Sequence, residues 1–471
     1  MSQDPSNYAL SAQEQARLAE WDRCYVWHPF TQHSLWNQTD PLIIVAAENE
    51  YLIDAAGRRY LDGHSSLWCN IHGHRRAEID RAIIDQLGRV AHTTQLGLAS
   101  PPAIELAKRL VDLAPAGLTK VFFSDDGSTS VEVACKLAFA YWHHRGQQQR
   151  DRFIALSGAY HGDTIGSVSL GGIDLFHRLY RPLLFKTELA PAPYCYRCPL
   201  GQSPEACGLA CAAEVESLLQ RLRGQVAAVV VEPLVQCAAG IITAPPGHLT
   251  RISRLCRNYD TLLIADEVAT GFGRTGRMFA CDHEGVSPDL FCLSKGLTGG
   301  YLPLAATLAT EAIYNAFCGP IDSGRTFYHG HTYTGNPLGC AAALACLALF
   351  GADRTLEQLP GKIELLAAHL TRLARNPHVG DVRQWGLIAG IEIVKDKSTR
   401  QAYPYGLQVG AQVCAQARQY GVILRPLADT IVIMPPLAIS SDNLNHLMNT
   451  IDRCLNEVVP GISPGETDGL E

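Results

Sequence analysis

The chain has no charge block, no internal repeat and no low-complexity tract. Its 39 lysines and arginines against 46 acidic residues leave a formal net charge of −7, so nothing global draws it to nucleic acid or to an anionic membrane. Long apolar runs are missing as well. The longest, LGCAAALACLALF from Leu338 to Phe350, is too short for a bilayer and reads as a buried helix. The opening stretch MSQDPSNYALSAQEQARLAEWDRCYVW has no basic segment followed by an apolar run, so no secretory signal is expected. The 16 cysteines, many in apolar segments (Cys135, Cys292, Cys346), are then expected as reduced thiols of a cytoplasmic protein.

What is present is a core. The 471 residues are 47% hydrophobic and 18% charged, enough to bury two or three domains' worth of structure or one large α/β unit. The middle of the chain alternates short apolar runs with helical patterns. KVFFSDD (120–126), RFIALSG (152–158), AAVVVEPL (227–234), TLLIADEV (261–268), DLFCLSKG (289–296) and PLAATLAT (303–310) are the expected strands. Several are apolar throughout, as strands covered on both faces are, which predicts a mostly parallel α/β sheet. Residues 41–63 predict a short antiparallel meander with turns at 48–50 and 56–58. Helices are expected over 338–351, 361–376, 406–420 and 441–457, around two strand pairs at 379–394 and 421–437. The expected organisation is an amino-terminal segment 1–70, a large domain 71–340 and a carboxy-terminal region 341–471, the two ends forming a small α+β domain.

In such sheets ligands sit beyond the carboxyl ends of the strands, so the polar residues there are the candidates. Gly127 and Ser128 open a helix after a strand; free amides and the helix dipole at that place favour a phosphate. Thr129 and Glu132 have the spacing of a capping box for the same helix. Asp266 ends a buried strand and needs a cation or a strong donor, either Arg274 or a protonated heterocycle nitrogen. Lys295, in PDLFCLSKGLTGGYLPLA, ends the next strand. It is either a salt-bridge partner or, held out of water, a nucleophile able to form a Schiff base. A phosphate seat, an acid for a ring nitrogen and a Schiff-base lysine together are what pyridoxal phosphate requires.

Two other groups compete. Cys195, Cys198, Cys207 and Cys211 are spaced C-x2-C-x8-C-x3-C in a Pro/Gly-rich loop, either a zinc clip or free thiols. HGH occurs at His72–His74 and at His329–His331, where i, i+2 spacing would suit a metallohydrolase.

IADEVATGFGRTG, PDLFCLSKGLTGGYLPLAA and HTYTGNPLGCAAA resemble the class III (omega) aminotransferases of PLP fold type I, from about Trp27 to residue 457. WHPFTQ (27–32), DGHSSLWCNIHGH (62–74), GAYHGDTIGSVSL (158–170), YHGHTYTGNP (328–337) and GVILRPLADTIVIMPPL (421–437) are nearest the branch that aminates 8-amino-7-oxononanoate in biotin synthesis. The resemblance implies a homodimer with its active site between subunits and pyridoxal 5'-phosphate as cofactor. Lys295 would be the catalytic Schiff-base lysine and Asp266 the partner of the ring nitrogen. Gly127 and Ser128 would hold the phosphate, with His331 and Thr332 in cofactor binding and Thr332 donated by the partner subunit. Tyr160 would lie against the ring. Phe30, Leu67, Trp68 and Gly330 would line the substrate site, and Arg425, otherwise a surface arginine on a hairpin, would grip the substrate carboxylate.

This branch commonly has tryptophan where Leu67 stands and tyrosine where Phe30 stands, and commonly takes S-adenosylmethionine as donor. Losing an aromatic wall for a sulfonium and a hydroxyl leans the expectation toward L-lysine. The remaining alternatives are an acetylornithine, 4-aminobutyrate, polyamine or β-amino acid aminotransferase, an aminomutase on the same cofactor, or a non-catalytic binding protein.

Overall fold

The computed structural model describes residues 8–462, so the outer ends of the expected terminal segments, 1–7 and 463–471, lie outside the described residues. Strands β1 (Ile44–Glu48), β2 (Tyr51–Asp54) and β3 (Arg59–Asp62) form the expected antiparallel meander. Next in the chain come β4 (Leu118–Ser124), β5 (Arg152–Leu156), β6 (Thr187–Ala190), β7 (Val226–Val231), a two-stranded hairpin of β8 (Val235–Gln236) and β9 (Ile242–Thr243), then β10 (Leu262–Asp266), β11 (Leu290–Leu293) and β12 (Ala305–Thr310). Seven of these make one sheet in the order β4-β12-β11-β10-β7-β5-β6. It is parallel from β6 to β11, and β12 runs antiparallel to both its neighbours.

The continuous apolar strands are buried as expected. Every residue of β7, β10 and β11 is buried, because helices cover both faces. The helix Gly127–His144 lays Val131, Ala134, Ala138 and Tyr141 on the sheet at helical spacing, and the Trp142 indole donates to the Ala227 carbonyl at 2.8 Å. Edge strand β6 was not foreseen; in TELA only Ala190 is buried, so no apolar run marks it.

The carboxy-terminal strands are β13 (Val379–Trp385), β14 (Ile388–Ile393), β15 (Val422–Ile423), β16 (Arg425–Leu427) and β17 (Thr430–Ile433). Four of them form the sheet β13-β14-β17-β16, while β15 joins β3 in parallel and ties the two chain ends together. The helix Pro337–Ala352 starts on Asn336, whose side chain accepts from the amides of Leu338 and Gly339 at 3.0 and 3.1 Å. It is apolar nearly all round because it packs between the helices Ala77–Leu87 and Pro101–Leu113 and the turn Lys295–Thr298. Among the described residues no single helix is long and apolar enough to cross a membrane.

One backbone feature breaks the local rules. Ser65, Ser66, Leu67 and Trp68 have φ of 47°, 48°, 72° and 70°, four successive non-glycine residues in the left-handed region. Left-handed helical backbone costs an L-residue roughly 1–2 kcal/mol, so tertiary bonds must hold this turn.

Candidate active site

The carboxyl ends of β4, β10 and β11 open into a cavity of about 710 Å³. Its wall includes Trp68, Gly127, Ser128, Tyr160, Asp266 and Lys295. These six residues from five separate segments were all foreseen as site residues.

The helix start at Gly127 is built differently from the expected capping box. Asp126 is the cap: its carboxylate accepts the Thr129 amide at 2.9 Å, and the Thr129 hydroxyl accepts the Asp126 amide at 3.0 Å. Glu132 instead reaches across to accept from Gly166 N at 2.7 Å. The capping pair therefore sits one turn earlier, and the Gly127 and Ser128 amides stand at the cavity wall. A Cβ on Gly127 would lie 2.5 Å from a Val268 methyl, so glycine lets the helix start approach the end of β10. The Ser128 hydroxyl is held by Thr164, 2.8 Å from its Oγ1.

Asp266 does not pair with Arg274. One carboxylate oxygen accepts the Val268 amide at 3.0 Å and the other lies 2.6 Å from His161 Nδ1. Burial alone would depress the His161 pKa, but the Asp266 contact outweighs it and raises it. Arg274, 1% exposed, donates to backbone carbonyls of Pro435 and Asn70 and to Ser65 Oγ. Lys295 has φ 44°, and its Nζ lies 4.9 Å from the Trp68 ring centroid, a cation–π contact.

Tyr160 donates its hydroxyl to Asp163 at 2.6 Å, and burial with that bond pushes the phenol well above its ordinary pKa. Phe30, Tyr160 and Phe176 form an edge-to-face group with centroids 5.2 to 6.5 Å apart. Phe176 was not foreseen. Leu67 and Phe30 are exposed, Arg425 opens β16, and its charge reaches Tyr160. Gly330 and Thr332 are also exposed and lie outside the cavity wall of their own chain. His331 Nδ1 is 2.7 Å from Asp125.

The metal candidates do not assemble. Among the described residues no group of three or more His, Cys, Asp and Glu side chains could hold an ion. Cys195, Cys198, Cys207 and Cys211 are free and half-buried. Their loop is fastened by polar bonds instead: Tyr194 and Arg197 both donate to Glu392, which also takes Arg383 at 2.7 Å. The histidines of the two HGH motifs have separate partners: the Cys346 carbonyl for His72, Asp62 for His74, Lys136 for His329 and Asp125 for His331.

Two buried carboxyls near Asp266 carry a pH prediction. Glu232 accepts the amides of Tyr160 and Cys237, and Glu267 those of Ala280 and Cys281. Burial pushes both up to about 7. Their protonated forms are favoured by folding, so their contribution is full below an unfolded pKa near 4.5 and is lost as pH rises through 7. Buried His72 and His248, depressed to about 4, have the opposite sign, as do the lowered His144, His177, His283 and His329, and an unfolded histidine is still half-protonated near pH 6.5. These trends overlap through neutral pH, so one carboxyl is read by difference, wild type against Glu267→Gln. Relative to Glu267→Gln, the wild type should lose on the order of 1 kcal/mol of stability between about pH 6 and 7. Melting temperatures of both proteins across that window check it, and a difference that does not change with pH would contradict it.

The cavity fits pyridoxal phosphate. It offers a buried carboxylate, an amine and a helix start stripped to glycine, and the His161 Nε2 beside it is buried without a partner. The model of the class-III aminotransferases matches residues 34–455. The chain is 53% identical to the adenosylmethionine-8-amino-7-oxononanoate aminotransferase of Geobacter sulfurreducens, covering 94% of this chain and 98% of that one. It is 56% identical to the enzyme of that name from Nitratidesulfovibrio vulgaris, covering 94% and 82%. The crystal structure of the Methanocaldococcus jannaschii protein of that name superposes with a TM-score of 0.90 at 44% identity, over 94% of this chain and 99% of that one. The cavity chemistry and the matches agree: the chain belongs to the class-III aminotransferases, which use pyridoxal phosphate.

Proposed function

We propose that the protein transfers an amino group to 8-amino-7-oxononanoate, giving 7,8-diaminononanoate for biotin synthesis. One observation carries the reading. Lys295, Asp266 and the Gly127–Ser128 helix start line one cavity, in a chain whose relatives act by name on 8-amino-7-oxononanoate.

Pyridoxal phosphate, when bound, supplies an aldehyde that takes up amines and a ring that draws electrons from the bond broken at Cα. Lys295 Nζ would hold the cofactor and would carry the proton to and from the reacting carbon. Asp266, fixed by Val268 N and His161, would hold a proton at the ring nitrogen. The Gly127 and Ser128 amides would bind the phosphate. Tyr160 and Trp68 wall off water.

The exposed Gly330 and Thr332 support a homodimer in which this segment, with His331, enters the partner's site. The central sheet with its helices is the large domain, roughly 71–340, and the two chain ends joined through β3 and β15 form the small one. Free cysteines fit a reducing cytoplasm.

Arg425 binds the substrate carboxylate. Arg425→Ala should raise KM for the oxo acid about tenfold to a hundredfold, with kcat much less affected, since a charge-assisted bond contributes roughly 1.5–3 kcal/mol. An unchanged KM would remove Arg425 from the site.

The relatives' names support adenosylmethionine as donor. The second reading, lysine, is favoured by Leu67 and Phe30, 44% and 56% exposed, which offer no indole or phenol to a sulfonium there. Mixing the loaded enzyme with each donor separately decides: the true donor bleaches the visible band of the lysine-bound cofactor. Full activity on acetylornithine, 4-aminobutyrate, a polyamine or a β-amino acid, with none on the oxononanoate, would overturn the proposal in favour of another class-III reaction.

A further inference from the structure

The left-handed turn Ser65–Trp68 is strained, yet it carries the indole that lies over Lys295. Something must hold it. Asp62, at the end of β3, is fully buried. One of its carboxylate oxygens accepts the Ser66 amide at 3.0 Å and the other the Ser66 hydroxyl at 2.7 Å. His74 Nε2 lies 3.1 Å from one oxygen and His64 Nδ1 3.1 Å from the other. Glycine follows at 63, where a Cβ would lie 2.9 Å from the Ile423 carbonyl, so the chain is pressed onto the end of β15. The Gly63 amide donates to that carbonyl at 3.0 Å, and Ser65 Oγ donates to the Met434 carbonyl at 2.7 Å. The turn is thus pinned between the carboxy-terminal strands and the Lys295 cavity.

We propose that Asp62, which lines no part of the cavity, is a positioning residue: its carboxylate clamps Ser66 in the left-handed turn and thereby holds Trp68 against Lys295. This rests on the aminotransferase reading above. Burial would raise the Asp62 pKa, but the neighbouring His64 and His74, with the Ser66 amide, outweigh it and hold the carboxyl well below the usual range. The clamp therefore stays charged through the working range of the enzyme. The geometry also accounts for Trp68 Nε1, buried in the cavity wall without a partner: an indole fixed from behind leaves its N–H for whatever occupies the cavity.

The test uses Asp62→Asn, alone and combined with Ser66→Gly, since glycine adopts positive φ without strain. Two readouts are needed. The first is the tryptophan fluorescence quenched when cofactor is added to apoenzyme, with Trp68→Phe defining the share due to Trp68. The second is the rate at which an amine accepted by the wild type bleaches the loaded enzyme, well below the melting temperature. Asp62→Asn should still load cofactor on Lys295, lose most of the Trp68 share of quenching, and react about tenfold or more slowly. Adding Ser66→Gly should recover at least a third of the lost rate. A loaded Asp62→Asn enzyme with wild-type quenching and rate, or one changed only in melting temperature, would overturn the proposal. If Asp62→Asn does not fold, Ser66→Val and Ser66→Gly decide: a slow valine variant beside a fast glycine variant supports the clamp, and equal rates reject it. Because the wild type is measured with any amine it accepts, a wrong assignment of the oxo acid would not mimic either result.

Discussion

Lys295→Ala is expected to reduce turnover by roughly 10⁴-fold or more, because one amine is asked to perform two tasks. Among the described residues it is the only lysine in the cavity wall, so no neighbouring lysine replaces it. Lys295→Arg separates charge from nucleophilicity. The guanidinium preserves the cation beside Trp68 but cannot be deprotonated, so it should be as inactive as alanine. Neither change should unfold the protein. Alanine removes a single cation–π pair, worth about 0.5–2 kcal/mol. Cofactor should still be retained by Asp266 and the Gly127–Ser128 amides, and a small exogenous amine should restore part of the alanine variant's rate by shuttling the proton. Rapid-mixing spectra of both variants with the donor are the check. Turnover within tenfold of wild type in either would remove Lys295 from the chemistry.

Asp266→Asn should be the next most damaging change, about 10²–10³-fold on the rate of cofactor-dependent steps. The amide keeps one oxygen for the Val268 N–H, so the end of β10 should hold its shape. What disappears is the negative charge. His161 then keeps only the more distant Glu232 charge against its burial, and its pKa should fall. A proton at the ring nitrogen would have no counter-ion. The expected signs are a weaker cofactor affinity, a changed visible spectrum and a loss that both half-reactions share. A deficit confined to one substrate would mean that Asp266 serves that substrate and not the ring.

The sequence displayed the parts of this site that end strands. The apolar runs up to Asp266 and Lys295 marked both residues because a charged group at the end of a buried strand needs a reason, and both stand in the same cavity. The central strands were legible for the same cause, while β6 was hidden because an edge strand needs no continuous apolar run. What could not be read were contacts made across the fold. His161 and Asp266 are 105 residues apart, and only the tertiary structure brings them to 2.6 Å. Glu232, Glu267 and Phe176 escaped for that reason, although His161 and Glu267 adjoin the foreseen Tyr160 and Asp266. Asp62 and the left-handed turn left no trace in local propensity, since serine, leucine and tryptophan give no hint of positive φ. The four cysteines left two readings open, a zinc clip or free thiols. Their spacing suggested a metal, but the loop is tied down by Glu392 and its arginines, a set contributed largely by the distant strand pair β13 and β14.

The account depends most directly on where the cofactor is attached. Borohydride reduction of the yellow holoenzyme, followed by proteolysis and mass mapping, should place one pyridoxyl group per chain on the peptide containing Lys295, and none after Lys295→Ala. A pyridoxyl group on another lysine, or a reduced protein carrying none, would contradict it.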